Sequence, residues 1–166
     1  MFDLMTVRAS TGTYRVEIIE DTAARLASLA EAGVQVVCDA NVARLHPHVV
    51  EVVPAAQFIQ IEAVEASKTM ARVQLLLETL ADRQVRRNQQ IVAIGGGSAI
   101  DTGKIVSVLM THEGTWDEYL TGERKISHHG VPFIAVPTTS GSSSEVTAGA
   151  AVWDWEAKRS INLSHP

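Results

Sequence analysis

The chain has 166 residues, 46% apolar and 20% charged, with a formal net charge of −5 and a pI near 5.6. This is the composition of one globular domain able to bury a core without disulfides or a structural metal, and it excludes a disordered chain and the basic face of a nucleic-acid binder. No apolar run approaches the ~20 residues of a membrane span. MFDLMTVRAS lacks the basic start and long apolar stretch of a secretory signal, and Cys38, the only cysteine, leaves no disulfide framework. A single domain over 1–166 in a reducing, cytoplasmic setting is the expectation, with neither membrane nor nucleic acid as partner.

In chain order, Tyr14–Ile19 alternates polar and apolar as a half-buried strand does. Asp21 is placed to cap a helix running to Ala32, with Gly33 in the stop position and Leu26, Leu29 and Ala30 on one face. Val34–Cys38 predicts a short buried strand. Pro47 and Pro54 break the next stretch into short pieces, and Gln57–Ile61 predicts another strand. From Ser67 to about Asp82, Met70, Val73, Leu76, Leu77 and Leu80 form one helix face. Ile91–Ile94 is an apolar strand that turns through Gly95, Gly96 and Gly97 into a helix over Ser98–Met110. A short helix is expected over Thr115–Leu120, an exposed loop over 127–130, and a strand over Pro132–Val136. Short apolar strands alternating with helices predict an α/β fold with an open, mostly parallel, doubly wound sheet.

The motif richest in chemistry is Ile91–Asp101. Glycines let backbone N–H groups approach an anion, and the helix N-terminus adds partial positive charge, which suits a pyrophosphate. The loop departs from the G-x-G-x-x-G fingerprint, because Ile100 stands where the last glycine belongs, and from the phosphate loop of nucleotide triphosphatases, because Ile105 follows Lys104. Read structurally, it is a tight turn with Ser98 and Asp101 as a capping pair. Thr138–Glu145 follows a strand and so lies at the carboxyl edge of the sheet, where open sheets bind ligands; its structural reading is Ser142 and Glu145 capping a following helix. Asp39 ends a strand where a carboxylate can accept both ribose hydroxyls and repel a 2′-phosphate, favouring NAD over NADP; its structural reading is a turn or cap residue before Asn41. The six histidines show no pair at ligand spacing on one helix face. Trp116, Trp153 and Trp155 read as core or interface residues, and Arg83–Arg87 as a solvated helix end.

Gly95-Gly-Gly-Ser-Ala-Ile-Asp-Thr-Gly-Lys104 and Pro137-Thr-Thr-Ser-Gly-Ser-Ser-Ser-Glu-Val-Thr147 resemble the cofactor motifs of the iron-containing (group III) alcohol dehydrogenases, in the superfamily that also holds glycerol dehydrogenase and dehydroquinate synthase. Asp39-Ala-Asn-Val42 and Glu65-Ala-Ser-Lys68 are similar to segments of the synthase branch, whereas Ser98, Ile100 and Ser142–Glu145 depart from it toward the dehydrogenases. The resemblance implies a nucleotide-binding α/β domain, followed in the family by an all-helical domain that supplies the ligands of a divalent metal, Fe²⁺ or Zn²⁺. It matches no residue here to those ligands, because the chain ends where that domain is expected to begin.

The resemblance also implies site roles. Asp39 and Asn41 would hold the adenosine ribose, with Glu65 and Lys68 near the cofactor. Gly96, Gly97 and Ser98 would hold the pyrophosphate with Gly95 also in the cofactor site, Thr138, Thr139 and Ser142 would line the adenine and ribose side, and Asp101 would face the nicotinamide and substrate edge. The expected activity is NAD-dependent, metal-dependent oxidation of an alcohol or reduction of its carbonyl, with little turnover from these residues alone. The alternatives are a synthase-like sugar phosphate cyclase using NAD transiently, and a non-catalytic nucleotide-binding module. Apolar surface left exposed by such a domain predicts a homo-oligomer.

Overall fold

The computed structural model describes residues 3–9, 12–154 and 158–164. The first element is an antiparallel hairpin of β1 (Asp3–Ala9) and β2 (Gly12–Ile18), in register from Asp3 opposite Ile18 to Ala9 opposite Gly12. The strand expected at Tyr14–Ile19 is therefore present, with Tyr14 and Val16 half-buried, but it pairs with β1 and not with the central sheet. β1 escaped the sequence reading because none of the hairpin's described side chains is buried: Met5 and Ile18 both stand exposed.

Helix α1 (Thr22–Glu31) starts where expected, the Asp21 carboxylate accepting from the Ala24 amide at 2.9 Å, and Gly33 ends the turn at φ +83°. It leads into β3 (Gln35–Asp39), a short α2 (Ala40–Leu45), a single turn α3 (Pro47–Val50) and β4 (Phe58–Ile61). The spacing of Val73, Leu76 and Leu80 produces α4 (Met70–Asp82), with all three buried. After β5 (Ile91–Gly95) come α5 (Gly97–Leu109), α6 (Trp116–Leu120), β6 (Phe133–Pro137), and a closing hairpin of β7 (Gly149–Asp154) and β8 (Arg159–Ser164). α6 opens on a capping box between Thr115 and Glu118.

The central sheet has the order β4-β3-β5-β6, and every pairing is parallel. A strand covered on both faces must be apolar where it is covered, and β5 and the Val36–Cys38 interior of β3 obey this. Val37 and Ile91 face α4 and α5 with Val73, Leu76, Leu80, Ile105 and Val106. Val36, Cys38, Val92 and Ile94 face the opposite layer, built on Leu26, Ala30, Val42 and Val53. The sheet is doubly wound, as expected. From β3 the chain moves outward to β4 and then crosses back to β5 on the other side. That reversal opens a crevice between the carboxyl ends of β3 and β5.

The sequence reading ended at the serine-rich loop. No helix follows it: residues 145–148 lead into β7, so Ser142 and Glu145 cap nothing, and Ala150 and Val152 bury against the α4–α5 layer instead. Trp155 and the side chain of Trp116 lie outside the described residues.

Candidate nucleotide site

Three strand ends meet at the crevice. Asp39 closes β3, Gly95 closes β5 and Pro137 closes β6, with Gly95 opposite Pro137 and the Thr138 amide donating to the Gly95 carbonyl at 3.0 Å. Gly95 has φ +152°, open to glycine and strained for other residues. A Cβ there would come within 2.7 Å of the Ala99 Cβ and 3.0 Å of the Asp39 Cβ. On Gly96 it would meet the Thr139 hydroxyl at 2.9 Å, and on Gly97 the Ser142 Cβ at 2.9 Å and the Ser144 hydroxyl at 3.0 Å. The glycine turn is thus a cradle walled by Asp39 on one side and by Thr139, Ser142 and Ser144 on the other. α5 opens from it at Gly96 with no side-chain cap, which leaves first-turn amides for an anionic ligand. The capping pair of Ser98 and Asp101 is not formed, because both side chains are engaged elsewhere.

Ser98 donates to the Glu65 carboxylate at 3.1 Å. Glu65 opens a 3-10 turn (Glu65–Ser67), pairs with Lys68 at 3.3 Å, and accepts the indole N–H of Trp153. The indole, followed by Lys68 and the Ser98 hydroxyl, holds this carboxyl below its ordinary range. Asp101, 8% exposed, gives one oxygen to Lys68 at 3.5 Å and to the Ala151 amide at 3.3 Å, and the other to Lys104 at 3.3 Å. Lys104 also donates to the Gly149 carbonyl at 2.6 Å and the Thr147 carbonyl at 3.1 Å. Burial pushes the Lys104 ammonium down, and the Asp101 carboxylate opposes that shift.

Asp39 does two things at once. One carboxylate oxygen accepts the Asn41 amide at 2.9 Å and so caps α2, while its Cβ forms the wall beside Gly95. The Asn41 side chain is turned to Arg44 at 3.4 Å. Directly beneath, burial and then the Asp39 charge push the Cys38 thiol up to about 11. Beside the cradle lies a cavity of about 320 Å³, lined in part by Ala40, Ile61, Lys68, Leu76, Ser98 and Thr102. That volume is within the range of small-molecule pockets.

The structure therefore gathers Asp39, Gly95, Gly96, Gly97, Thr138, Thr139 and Ser142 around one cradle, and joins Ser98, Glu65, Lys68 and Asp101 in one polar network beside it. Sequence reasoning missed Lys104 and the Trp153 contact. Lys104 had a signal, its i,i+3 spacing from Asp101 on a helix; the Trp153 contact, across 88 residues, had none. Among the described residues no group of three or more His, Cys, Asp or Glu side chains is arranged to hold a metal ion. His112 and His128 stack at 3.9 Å, but the His112 ring nitrogens are spent on the Val108 carbonyl and the Ser127 amide. No helix among the described residues is long and apolar enough to cross a membrane.

The sequence profile described as iron-containing alcohol dehydrogenase matches residues 12–166. The chain belongs to the iron-containing alcohol dehydrogenase family. Among curated relatives in the family's range of activities, it is 35% identical over 103 residues to 4-hydroxybutyrate dehydrogenase of Cupriavidus necator, covering 60% of this chain and 27% of that enzyme. Its fold is shared with sulfoacetaldehyde reductase of Bifidobacterium kashiwanohense, solved in complex with NAD⁺, at a TM-score of 0.69 and 18% identity over 88% of this chain and 40% of that one. It is equally shared with a 2-deoxy-scyllo-inosose synthase, at a TM-score of 0.69 and 18% identity over 99% of this chain and 44% of that one. The chain thus spans less than half the length of these proteins. The resemblance and the doubly wound fold expected from the sequence both stand.

Proposed function

We propose that this chain is the nucleotide-binding part of an NAD-dependent, metal-dependent alcohol dehydrogenase. The observation that carries the reading is the glycine cradle at the switch point, where Cβ atoms on Gly95, Gly96 and Gly97 would fill space bounded by Asp39, Thr139 and Ser142. The residues present fit a dinucleotide. Gly96, Gly97 and the first-turn amides of α5 face the pyrophosphate, with the Ser98 hydroxyl as an added donor. Asp39, beside Gly95, accepts from the adenosine ribose hydroxyls, and Asn41 keeps that carboxylate in place through its amide. Thr138, Thr139 and Ser142 close the adenine and ribose side, and Glu65 and Lys68 lie near the cofactor in the network with Ser98 and Asp101. Bound NAD⁺ supplies a hydride acceptor. The chain's own contribution is to hold that acceptor in one orientation, because proximity alone is worth on the order of 7–11 kcal/mol in favourable systems.

The described residues do not fit the divalent metal that the family implies: no group of three or more His, Cys, Asp or Glu among them is arranged to hold one. Asp101 has both oxygens committed to cations and to Ala151, so it is held near the cofactor as a fixed charge. Turnover of simple alcohols by this chain alone is expected to be negligible. The cyclase alternative would use the same cradle. The dehydrogenase reading is preferred on the named relatives and on Ser142–Glu145 standing where the synthases carry Asp-Ser-Ser. Self-association belongs to the same proposal, since Leu45, Val64, Leu75 and Val146 stand exposed.

The test is calorimetric titration with NAD⁺ and NADP⁺, on the wild-type chain and on Asp39→Ala. NAD⁺ binding that exceeds NADP⁺ binding and weakens in the variant is the expected result. Failure of the wild-type chain to bind either cofactor would overturn the reading.

A further inference from the structure

We infer that Lys104 is a positioning residue: with Asp101 it clamps β7 against α5, and through β7 it fixes the direction of the Ser98 hydroxyl at the glycine cradle. The inference rests on the nucleotide reading above and deepens it.

Lys104 lies two turns into α5, and its side chain is 14% exposed. An ammonium this buried must spend its protons on acceptors. Its partners are Asp101 at 3.3 Å and, beyond the helix, the carbonyls of Thr147 and Gly149 and the Thr147 hydroxyl. These lie at the mouth of β7. Two residues further on, the Ala151 amide donates to Asp101. Two more along, the Trp153 amide donates to the Lys68 carbonyl at 2.9 Å, and the Trp153 indole donates to Glu65. Glu65 then accepts the Ser98 hydroxyl.

Alternate residues of a strand point the same way, so β7 presents Gly149, Ala151 and Trp153 as one polar edge to α5 and the 3-10 turn. Two cations and two carboxylates, Lys68, Lys104, Glu65 and Asp101, balance along this edge. Lys104 anchors its start and Ser98 is its last member. Removing the anchor lets β7 lift, frees Glu65 from the indole and leaves the serine hydroxyl without a fixed acceptor. Lys104 itself does not touch the cradle. Its effect on a nucleotide passes through Ser98.

The experiment has two arms. On the free chain, amide hydrogen exchange is compared among wild type, Lys104→Met and Lys104→Arg, with the isosteric Asp101→Asn as a second variant should the methionine form fold poorly. The Ala151 and Trp153 amides are expected to exchange about tenfold faster in Lys104→Met, with β5 unchanged and Lys104→Arg restoring protection. Unchanged exchange in both Lys104→Met and Asp101→Asn overturns the clamp whether or not a cofactor binds. In the second arm, NAD⁺ affinity is measured for Lys104→Met, Ser98→Ala and the double variant. Each single change is expected to weaken binding about tenfold and the double variant no more than either, the sign of two residues acting through one contact. Losses that add would make Lys104 a fold residue only and overturn the positioning role. A wild-type chain that binds no NAD⁺ would overturn the nucleotide reading and the role of Lys104 in it, while the exchange arm still decides the clamp.

Discussion

Asp39 and Gly95 touch across the switch point of the sheet: a methyl group on Gly95 would stand 3.0 Å from the Asp39 Cβ. The ends of β3 and β5 can approach this closely only because β5 ends in a residue with no side chain at φ +152°. Gly95→Ala meets both the Ala99 Cβ at 2.7 Å and an unfavourable backbone. Strain and overpacking together put the expected loss of stability at about 3 kcal/mol. Urea unfolding checks this, and NAD⁺ binding is expected to be lost alongside.

Two substitutions separate the two tasks of Asp39. Asp39→Ala removes the α2 cap at an expected cost of about 1 kcal/mol, read as a lower melting temperature. Asp39→Asn keeps a capping oxygen and removes only the charge. A unit charge ~4 Å away is worth roughly 1–4 kcal/mol between bulk water and a protein surface. The ratio of NADP⁺ to NAD⁺ affinity is therefore expected to rise at least about fivefold in Asp39→Asn. An unchanged ratio would show that the carboxylate does not meet the ribose.

Cys38 is buried, and its thiol is pushed from 9.0 up to about 11. In the folded chain it should resist a thiol-specific disulfide reagent at pH 8, where only about one thiol in a thousand is ionised, and react once denaturant opens the core. A folded value raised above the unfolded one means that this group's contribution is fully present below pH 9.0 and is lost as pH rises toward about 11. Stability measured over that window should fall less steeply in Cys38→Ala.

Glu65 has the opposite sign. Its carboxyl is held below 4.5 in the folded chain, first by the Trp153 indole, so its contribution is present above 4.5 and disappears as pH falls through the folded value. The side chain is 55% exposed, and solvent screening keeps the expected effect under about 1 kcal/mol. Glu65→Gln should flatten that part of the acid unfolding limb. A limb identical to wild type would contradict the bond to Trp153.

Gly103 lies inside α5, where alanine normally favours a helix by about 1 kcal/mol. Here a Cβ would sit 2.8 Å from the Ala93 Cβ and 2.8 Å from the Phe133 ring. The ring can turn, but Ala93 is fixed on the central strand. Overpacking of about 1–3 kcal/mol outweighs the propensity gain. Gly103→Ala is expected to be destabilising by chemical denaturation.

Elements that bury a face were legible in the sequence, because burial writes a period into the residues. The spacing of Val73, Leu76 and Leu80 announced α4, and the unbroken Ile91–Ile94 announced a strand covered on both sides. The terminal hairpin left no such mark, since Met5 and Ile18 remain in solvent. α2 was missed because it is only six residues long, although its cap at Asp39 was legible. β7 was missed because the serine-rich loop before it carries the signature of a helix cap, and tertiary packing of Ala150 and Val152 overrode that local signal.

The sequence by itself determined the alternation of strand and helix, the glycine turn at the end of β5, and the acidic residue at the end of β3. Each is a local consequence of burial period, φ or chain position. Only the tertiary structure decided where the charges of the site are spent. Lys104 meets Gly149, Asp101 meets Ala151, and Glu65 meets Trp153 because β7 packs along α5, and a bond across 45, 50 or 88 residues leaves no period in the chain that forms it.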